Sequence, residues 1–246
     1  MVEAGRNNRE TSMADTIRIL SAGAPKTGVS RCARAYEQAT GHGTGITFAT
    51  APAVRQSVES GEDGADIVVA TVPVVDGFEA AGLTVPGARA TVGSVKAAVA
   101  VKAGAPFPDI SSADSLRAAI LAAPAVLYNS ASSGLYIEKM METLGIVDEI
   151  RDRTIRLPNG DAVLKHLGSS ETPGEIGFGQ ATEIRRQEEL DGLVALVGAL
   201  PKEVENITTY AVALLSHARN AEAAGGLVTF MGSAAGLKIF AATGVE

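Results

Sequence analysis

The sequence contains no tryptophan, a single cysteine and three histidines, and only 4% of its residues are aromatic. One thiol, Cys32, cannot close a disulfide within the chain and fits a reducing compartment. It shares a helical face with Val29, Ala33 and Tyr36, which reads as core packing. His42 lies in a glycine-rich loop, His166 in a helix after P-N-G, and His217 near the end of a strand or helix. With no HxxxH or CxxC spacing, no metal site is expected. Basic charge is also scarce: 21 Lys and Arg against 28 Asp and Glu give a net charge of -7. That balance argues against a nucleic-acid partner but not against a small anion, because a local pocket can be positive on an acidic protein. No window approaches 18 uninterrupted apolar residues, so no membrane span is expected. The polar opening M-V-E-A-G-R-N-N-R-E-T-S-M lacks the apolar core of a signal peptide. It is read as a disordered lead over 1–13, with Met13 a second possible start. The expected location is cytoplasmic, or periplasmic if a signal has been removed.

What remains is a chain of 246 residues, 46% of them hydrophobic, enough for one large domain or two lobes. Short apolar runs at 16–21, 46–49, 65–71, 95–102, 125–128, 177–179, 193–200 and 208–214 read as strands. Helical spacing at 29–40, 53–60, 74–81, 112–122, 134–144, 162–167, 222–231 and 234–242 falls between or after them. G-L-T-V-P-G-A-R (82–89) reads as a loop. Strands alternating with helices indicate an α/β protein with mostly parallel sheets.

One stretch, I-L-S-A-G-A-P-K-T-G-V-S (19–30), turns from strand to helix through small residues. Gly23 and Gly28 are spaced as in a phosphate loop, but Val29 stands where that motif needs Lys. T-A-P-A (50–53) and S-S-G-L (132–135) repeat the arrangement. The first N–H groups of a helix have no intrahelical partner, and its N-terminal end is positive. Each turn can simply cap its helix; three such ends facing one gap would make an anion site.

The fragments I-L-S-A-G-A-P-K, Y-E-Q-A-T-G, T-F-A-T-A-P-A-V-R-Q-S-V-E-S-G, A-D-I-V-V-A, A-A-G-L-T-V-P-G-A-R, L-Y-N-S-A-S-S-G-L-Y, L-P-N-G-D-A-V, G-E-I-G-F-G, L-P-K-E-V-E-N-I-T-T-Y and F-A-A-T-G-V-E occur in that order over residues 16–246. In this they resemble the molybdate-binding branch of the type II periplasmic binding proteins. The resemblance implies two α/β lobes joined by hinge-crossing segments and closing on an anion in the cleft: residues 14–94 plus 207–246, and residues 95–206.

Members of that branch that bind molybdate place hydroxyls where this chain has Ala24 and Thr50 or Ala51, and a Tyr where it has Gln180. Lys26 adds a full charge, for which a carboxylate is a natural partner. S-A-G-A-x-K, Y-N-x-A-S-S-G-L-Y and E-I-G-F-G resemble a sub-branch that includes aconitate isomerase. What this implies is a cofactor-independent isomerase of a small unsaturated di- or tricarboxylate. The alternatives are a solute-binding protein of an ABC importer, for molybdate, tungstate or an organic anion, and a sensor that closes on an anion. The absence of a visible signal sequence favours the enzyme. The implied catalytic candidates are Lys26, Ser133 and Tyr128. The implied ligand-binding candidates are Ala22, Gly23, Ala24, Thr50, Ala51, Asn129, Ser132, Gly134, Asn159 and Gln180. Lys26 can act as a clamp or a proton carrier. Ser132 and Ser133 suit anion contact better than nucleophilic attack, because no His–Asp partner set is visible. Tyr136 flanks the same turn, and Glu175 is placed near the cleft by the resemblance.

Overall fold

The computed structural model describes residues 16–62 and 64–246, so the expected lead at 1–13 lies outside the described residues. In chain order the elements are β1 (Ile17–Ala22), α1 (Lys26–Thr40), β2 (Thr44–Ala49), α2 (Ala51–Ser60), β3 (Ile67–Thr71), α3 (Val72–Ala80) and β4 (Thr84–Lys102). Then come α4 (Ala113–Ala122), β5 (Val126–Asn129), α5 (Ser132–Thr143), α6 (Val147–Ile150), β6 (Thr154–Leu157), α7 (Gly160–Ser169), β7 (Ile176–Gln180) and α8 (Ala181–Asp191). The chain closes with β8 (Val194–Ala199), β9 (Ile207–Leu215), α9 (Ala221–Gly232) and α10 (Ala234–Ala241).

The protein is a two-lobed α/β fold built on two sheets that share one strand. The first runs β2-β1-β3-β9 and ends on the N-terminal part of β4; the second joins the C-terminal part of β4 to β8 on one side and to β7-β5-β6 on the other. Strands β1, β3 and β5 are buried on both faces, which is why they read as continuous apolar runs. Side-chain alternation then feeds two cores per sheet. Ile17, Ile19, Ile67, Val69, Val212 and Leu214 meet α1, α9 and α10 on one face of the first sheet. Leu20, Val68, Ala70, Ala211, Ala213 and Leu215 meet α2 and α3 on the other. In the second sheet Val99, Val126 and Phe178 pack on α4 and α5, while Ala98, Leu127 and Ala100 pack on α7 and α8. Cys32 is buried in the first of these cores, its thiol pushed up to about 12 by burial.

Two expectations are corrected. The sheets are not mostly parallel: β1–β2, β1–β3, β5–β6 and β5–β7 are parallel, but β3–β9, β4–β9, β4–β7 and β4–β8 are antiparallel. The antiparallel pairs all involve β4 or β9, the strands that cross between lobes and run back against the βα units. The stretch 82–89 is not a loop either, because β4 begins at Thr84. Its glycines are absorbed as breaks in register with β9, between Thr84 and Arg89 and between Thr91 and Gly93. Gly87 and Gly93 have φ of 75° and 124° there, backbone that side chains rarely adopt.

The crossing itself is compact. Ser94, Val95 and Lys96 pair with Thr209, Thr208 and Ile207, and from Ala97 onward β4 pairs with β7 instead. The return crossing runs from Leu200 to β9, and the Ala97 N–H donates to the Asn206 carbonyl at 2.9 Å. Helices α9 and α10 meet at a 63° bend; among the described residues no single helix is long and apolar enough to cross a membrane.

Candidate functional site

Six times along the chain a strand ends, turns and starts a helix at the same place. These are β1–α1, β2–α2 and β3–α3 in the first lobe, and β5–α5, β6–α7 and β7–α8 in the second. All six turns line one cavity of about 910 Å³ between the lobes, floored by Asn206–Tyr210 of the crossing segment. Open α/β sheets hold ligands at this edge, beyond the strand C-termini.

Five of these six helices share a capping pattern, α7 with its Asn159 cap being the exception. The N-caps of α1, α2, α3, α5 and α8 make no side-chain hydrogen bond to their helices. Away from the cavity, α4, α9 and α10 are capped by Ser112, Asn220 and Ser233. Moreover α1, α2, α3 and α5 carry no acidic residue in their first turn, the usual partner for a helix's positive end. The protein leaves the starts of α1, α2 and α3 open where they face the cavity, while Asn129 satisfies part of the α5 start, an arrangement suited to an anion.

Of the residues singled out in the sequence, Lys26, Ser133, Ala22, Gly23, Ala24, Thr50, Ala51, Asn129, Ser132, Asn159 and Gln180 all line this cavity. Tyr128 and Gly134 do not. The Tyr128 ring is buried in the second-lobe core, and its hydroxyl accepts from Arg156 Nε at 3.1 Å, with that guanidinium carbon 5.5 Å from the ring centroid. Gly134 is buried because α5 starts against the end of β5: a Cβ there would overlap the Asn129 carbonyl oxygen. Glu175 is buried just before β7 begins, at the other end of that strand from Gln180, 4.0 Å from His166, and does not line the cavity. Tyr136 does line it, its hydroxyl 3.1 Å and 3.0 Å from the carbonyl oxygens of Val204 and Glu205.

The side chains in the cavity wall are organised by one another. Asn129 Oδ1 accepts from the N–H groups of Ala131 (2.9 Å) and Gly134 (3.3 Å), and its Nδ2 donates to Ser133 Oγ at 3.0 Å. Asn129 thereby fixes the first turn of α5 and aims Ser133. Asn159 caps α7 by accepting from the Ala162 N–H. Gln180 is only 4% exposed, and its Oε1 has no hydrogen-bond partner, an orphan that a ligand can complete.

Three charged side chains of the cavity wall were not found in the sequence: Arg55, Asp161 and Glu183. Lys26 does not stand free. Its Nζ donates to both carboxylate oxygens of Asp161 at 2.9 Å, across the gap between lobes, and Arg186 Nη2 reaches Asp161 Oδ1 at 3.0 Å. Burial opposes ionisation of Asp161, but Lys26 and then Arg186 outweigh it and hold the carboxyl below its ordinary range. A second inter-lobe bond runs from Thr182 Oγ1 to the Ala24 carbonyl at 2.7 Å. Glu183 has the opposite tendency. Burial pushes its carboxyl up to about 6; Lys26 opposes this and the neighbouring Asp161 charge adds to it. Nearby Tyr210 is held well above the ordinary phenol range, first by burial and then by Glu183. Among the described residues no three His, Cys, Asp or Glu side chains gather as a metal-ligand set.

The fold has known counterparts. The chain is 26% identical over 237 residues to an aconitate isomerase from a Pseudomonas species, covering 94% of this chain and 87% of that protein. Its backbone superposes on the periplasmic molybdate-binding protein of Azotobacter vinelandii with a TM-score of 0.72 at 16% identity, covering 94% of this chain and 98% of that one. The sulfate-binding protein SubI from Mycobacterium tuberculosis H37Rv gives 0.73 at 15% identity, covering 93% and 85%. The sequence profile described as bacterial extracellular solute-binding protein matches residues 17–246, and this chain belongs to that family.

Proposed function

We propose that the protein binds a small unsaturated di- or tricarboxylate between its lobes and shifts the double bond, as an aconitate isomerase does. The observation that carries this reading is the set of open helix starts around one cavity, which offers several separate places for carboxylates. The cavity volume supports it too. About 910 Å³ sits at the upper end of small-molecule sites, which run roughly 300–1,000 Å³. A tetrahedral oxyanion of five heavy atoms, at about 30 Å³ each, would fill a small part of it.

The chemistry needs no external oxidant or reductant. A proton leaves the methylene carbon beside one carboxylate, and the electron pair spreads over three carbons into the flanking carboxylates. A proton then returns to the far carbon, so the double bond has moved and nothing is oxidised. In an acid whose two ends are alike, such as aconitate, this exchange interconverts cis and trans forms. Backbone N–H groups of α2, α3 and α5, with the hydroxyls of Thr50, Ser132 and Ser133, would hold the carboxylates and stabilise the added charge. Gln180 and Asn129 complete the wall. Lys26, engaged with Asp161, serves closure of the lobes in this reading. The cytoplasmic setting expected from the sequence draws no support from membership of an extracellular family, and the reading does not depend on it.

A second reading, capture of an anion for an ABC importer without turnover, is favoured by the family itself. One experiment separates the two. Thermal unfolding is followed with trans-aconitate, cis-aconitate, molybdate, tungstate and sulfate, and conversion of trans-aconitate is followed by proton NMR. Ligand at 100 times its Kd adds about 2.7 kcal/mol of stability, a rise of roughly 5–11 °C for a chain of this size. Stabilisation by aconitate with conversion to the other isomer is expected. Stabilisation by an inorganic oxyanion alone, with aconitate unchanged, would sink the isomerase reading.

A further inference from the structure

Glu183 occupies a position that its structural duties do not exhaust. It lies at the third position of α8, where its carboxylate accepts from the Gln180 backbone N–H, an arrangement that fixes the side chain at the helix start. From there it reaches across the seam between lobes. A Cβ at Gly23, in the first lobe, would come within 2.8 Å of its Oε1, and a Cβ at Gly160, in the second, within 2.5 Å of its Oε2. Both glycines line the cavity, so the carboxylate is wedged where first-lobe and second-lobe turns meet, against the space a ligand would fill. The groups that face it are Lys26, Asp161, Arg186 and Tyr210. Lys26 and Arg186 are both engaged with Asp161, and among the described residues Glu183 has no ion pair of its own. It is therefore the cavity carboxylate without a dedicated counter-charge.

Resting on the isomerase reading, we propose that Glu183 is the catalytic base that takes the proton from the substrate methylene and returns it to the far carbon. In the first half the ionised carboxylate accepts the proton and becomes a carboxylic acid, while the negative charge passes into the substrate's carboxylates. In the second half the same proton, or one exchanged with solvent, goes to the other end of the three-carbon unit. The electron pair closes the new double bond and Glu183 is ionised again. Its upward shift suits both halves, since a base is most useful when its affinity for the proton lies near working pH. Tyr210, kept protonated, remains a neutral neighbour rather than a competing base.

The test uses Glu183→Gln and Glu183→Asp with trans-aconitate in D2O. Gln can still accept the Gln180 N–H, so helix capping survives while the proton carrier is removed. Wild type is expected to place deuterium on the methylene carbon and form the other isomer, with kcat/KM rising through an acid limb near pH 6. Glu183→Gln is expected to bind trans-aconitate within about threefold of wild type and to lose kcat by roughly 10²–10⁴-fold. Glu183→Asp keeps the acid limb at reduced kcat. Glu183→Gln retaining kcat within threefold overturns the assignment while leaving the isomerase reading intact. Should Glu183→Gln fail to fold, a Glu183→Asp enzyme lacking the acid limb overturns it equally. A wild type that binds trans-aconitate but neither exchanges nor converts it removes the isomerase reading, and this assignment with it.

Discussion

Replacing Gly134 by Ala tests how tightly the start of α5 is seated against the end of β5. The added Cβ would overlap the Asn129 carbonyl oxygen and lie 2.5 Å from its carbonyl carbon. Carbon atoms prefer about 3.5–4.0 Å, so the start of α5 must retreat from the end of β5 by roughly 1 Å or more. The obstacle is backbone, so no rotamer relieves it. A shift of that size breaks the bonds from Asn129 to Ala131 N–H, Gly134 N–H and Ser133 Oγ. At about 1 kcal/mol each the loss is near 3 kcal/mol. Alanine's helix preference returns about 0.5–1 kcal/mol, leaving a net loss of about 2 kcal/mol. For a chain of this size the Tm should fall by roughly 4–8 °C. Gly77→Ala provides the contrast. Gly77 is an exposed residue inside α3 with nothing within 4 Å of a built Cβ, so that variant should gain about 0.5–1 kcal/mol. Differential scanning calorimetry of the two variants should therefore move the transition in opposite directions. A Gly134→Ala protein melting within 1 °C of wild type would refute the reasoning.

Two further outcomes follow from the charges at the seam. Lys26→Ala and Asp161→Asn, measured singly and together by urea denaturation, should show a coupling of about 1 kcal/mol at low salt, modest because Asp161 is 42% exposed. The coupling should shrink in 1 M salt, and additive effects would mean the pair does not hold the lobes. Glu183 binds its proton more tightly in the folded protein than in the unfolded chain, so its contribution is fully present below pH 4.5 and is lost as pH rises through about 6. Between those values wild type should lose more stability than Glu183→Gln, and parallel profiles would contradict the raised affinity.

Much of the cavity wall could be read from local chemistry. The turns at Ala22–Lys26, Thr50–Ala51 and Ser132–Ser133 announce themselves by small and hydroxyl residues between an apolar run and a helical period. Three equivalent turns were not legible as anion-facing ends from local chemistry, although the family resemblance pointed to Asn159 and Gln180 in two of them: T-V-P-V (71–74) and N-G-D-A (159–162) look like ordinary helix starts. The third was hidden with its helix: A-T-E-I-R-R-Q-E-E-L-D buries only Thr182, Ile184 and Gln187, too weak a stripe to reveal α8. Glu183 went unseen for that reason. β6 pairs only with β5 at the sheet edge, so T-I-R-L carries little apolar signal. Tyr128 was placed in the site by its neighbours in sequence, but strand alternation points Asn129 to the cleft edge and Tyr128 into the core.

The two segments joining the lobes are themselves hydrogen-bonded neighbours, Ser94–Lys96 against Ile207–Thr209. A ribbon of two paired strands flexes far more easily across its plane than within it. The halves should accordingly part like a book on its spine, each retaining its own interior. The dwell time of an enclosed molecule would then be governed by how often the covers swing apart, rather than by the strength of any one grip on it.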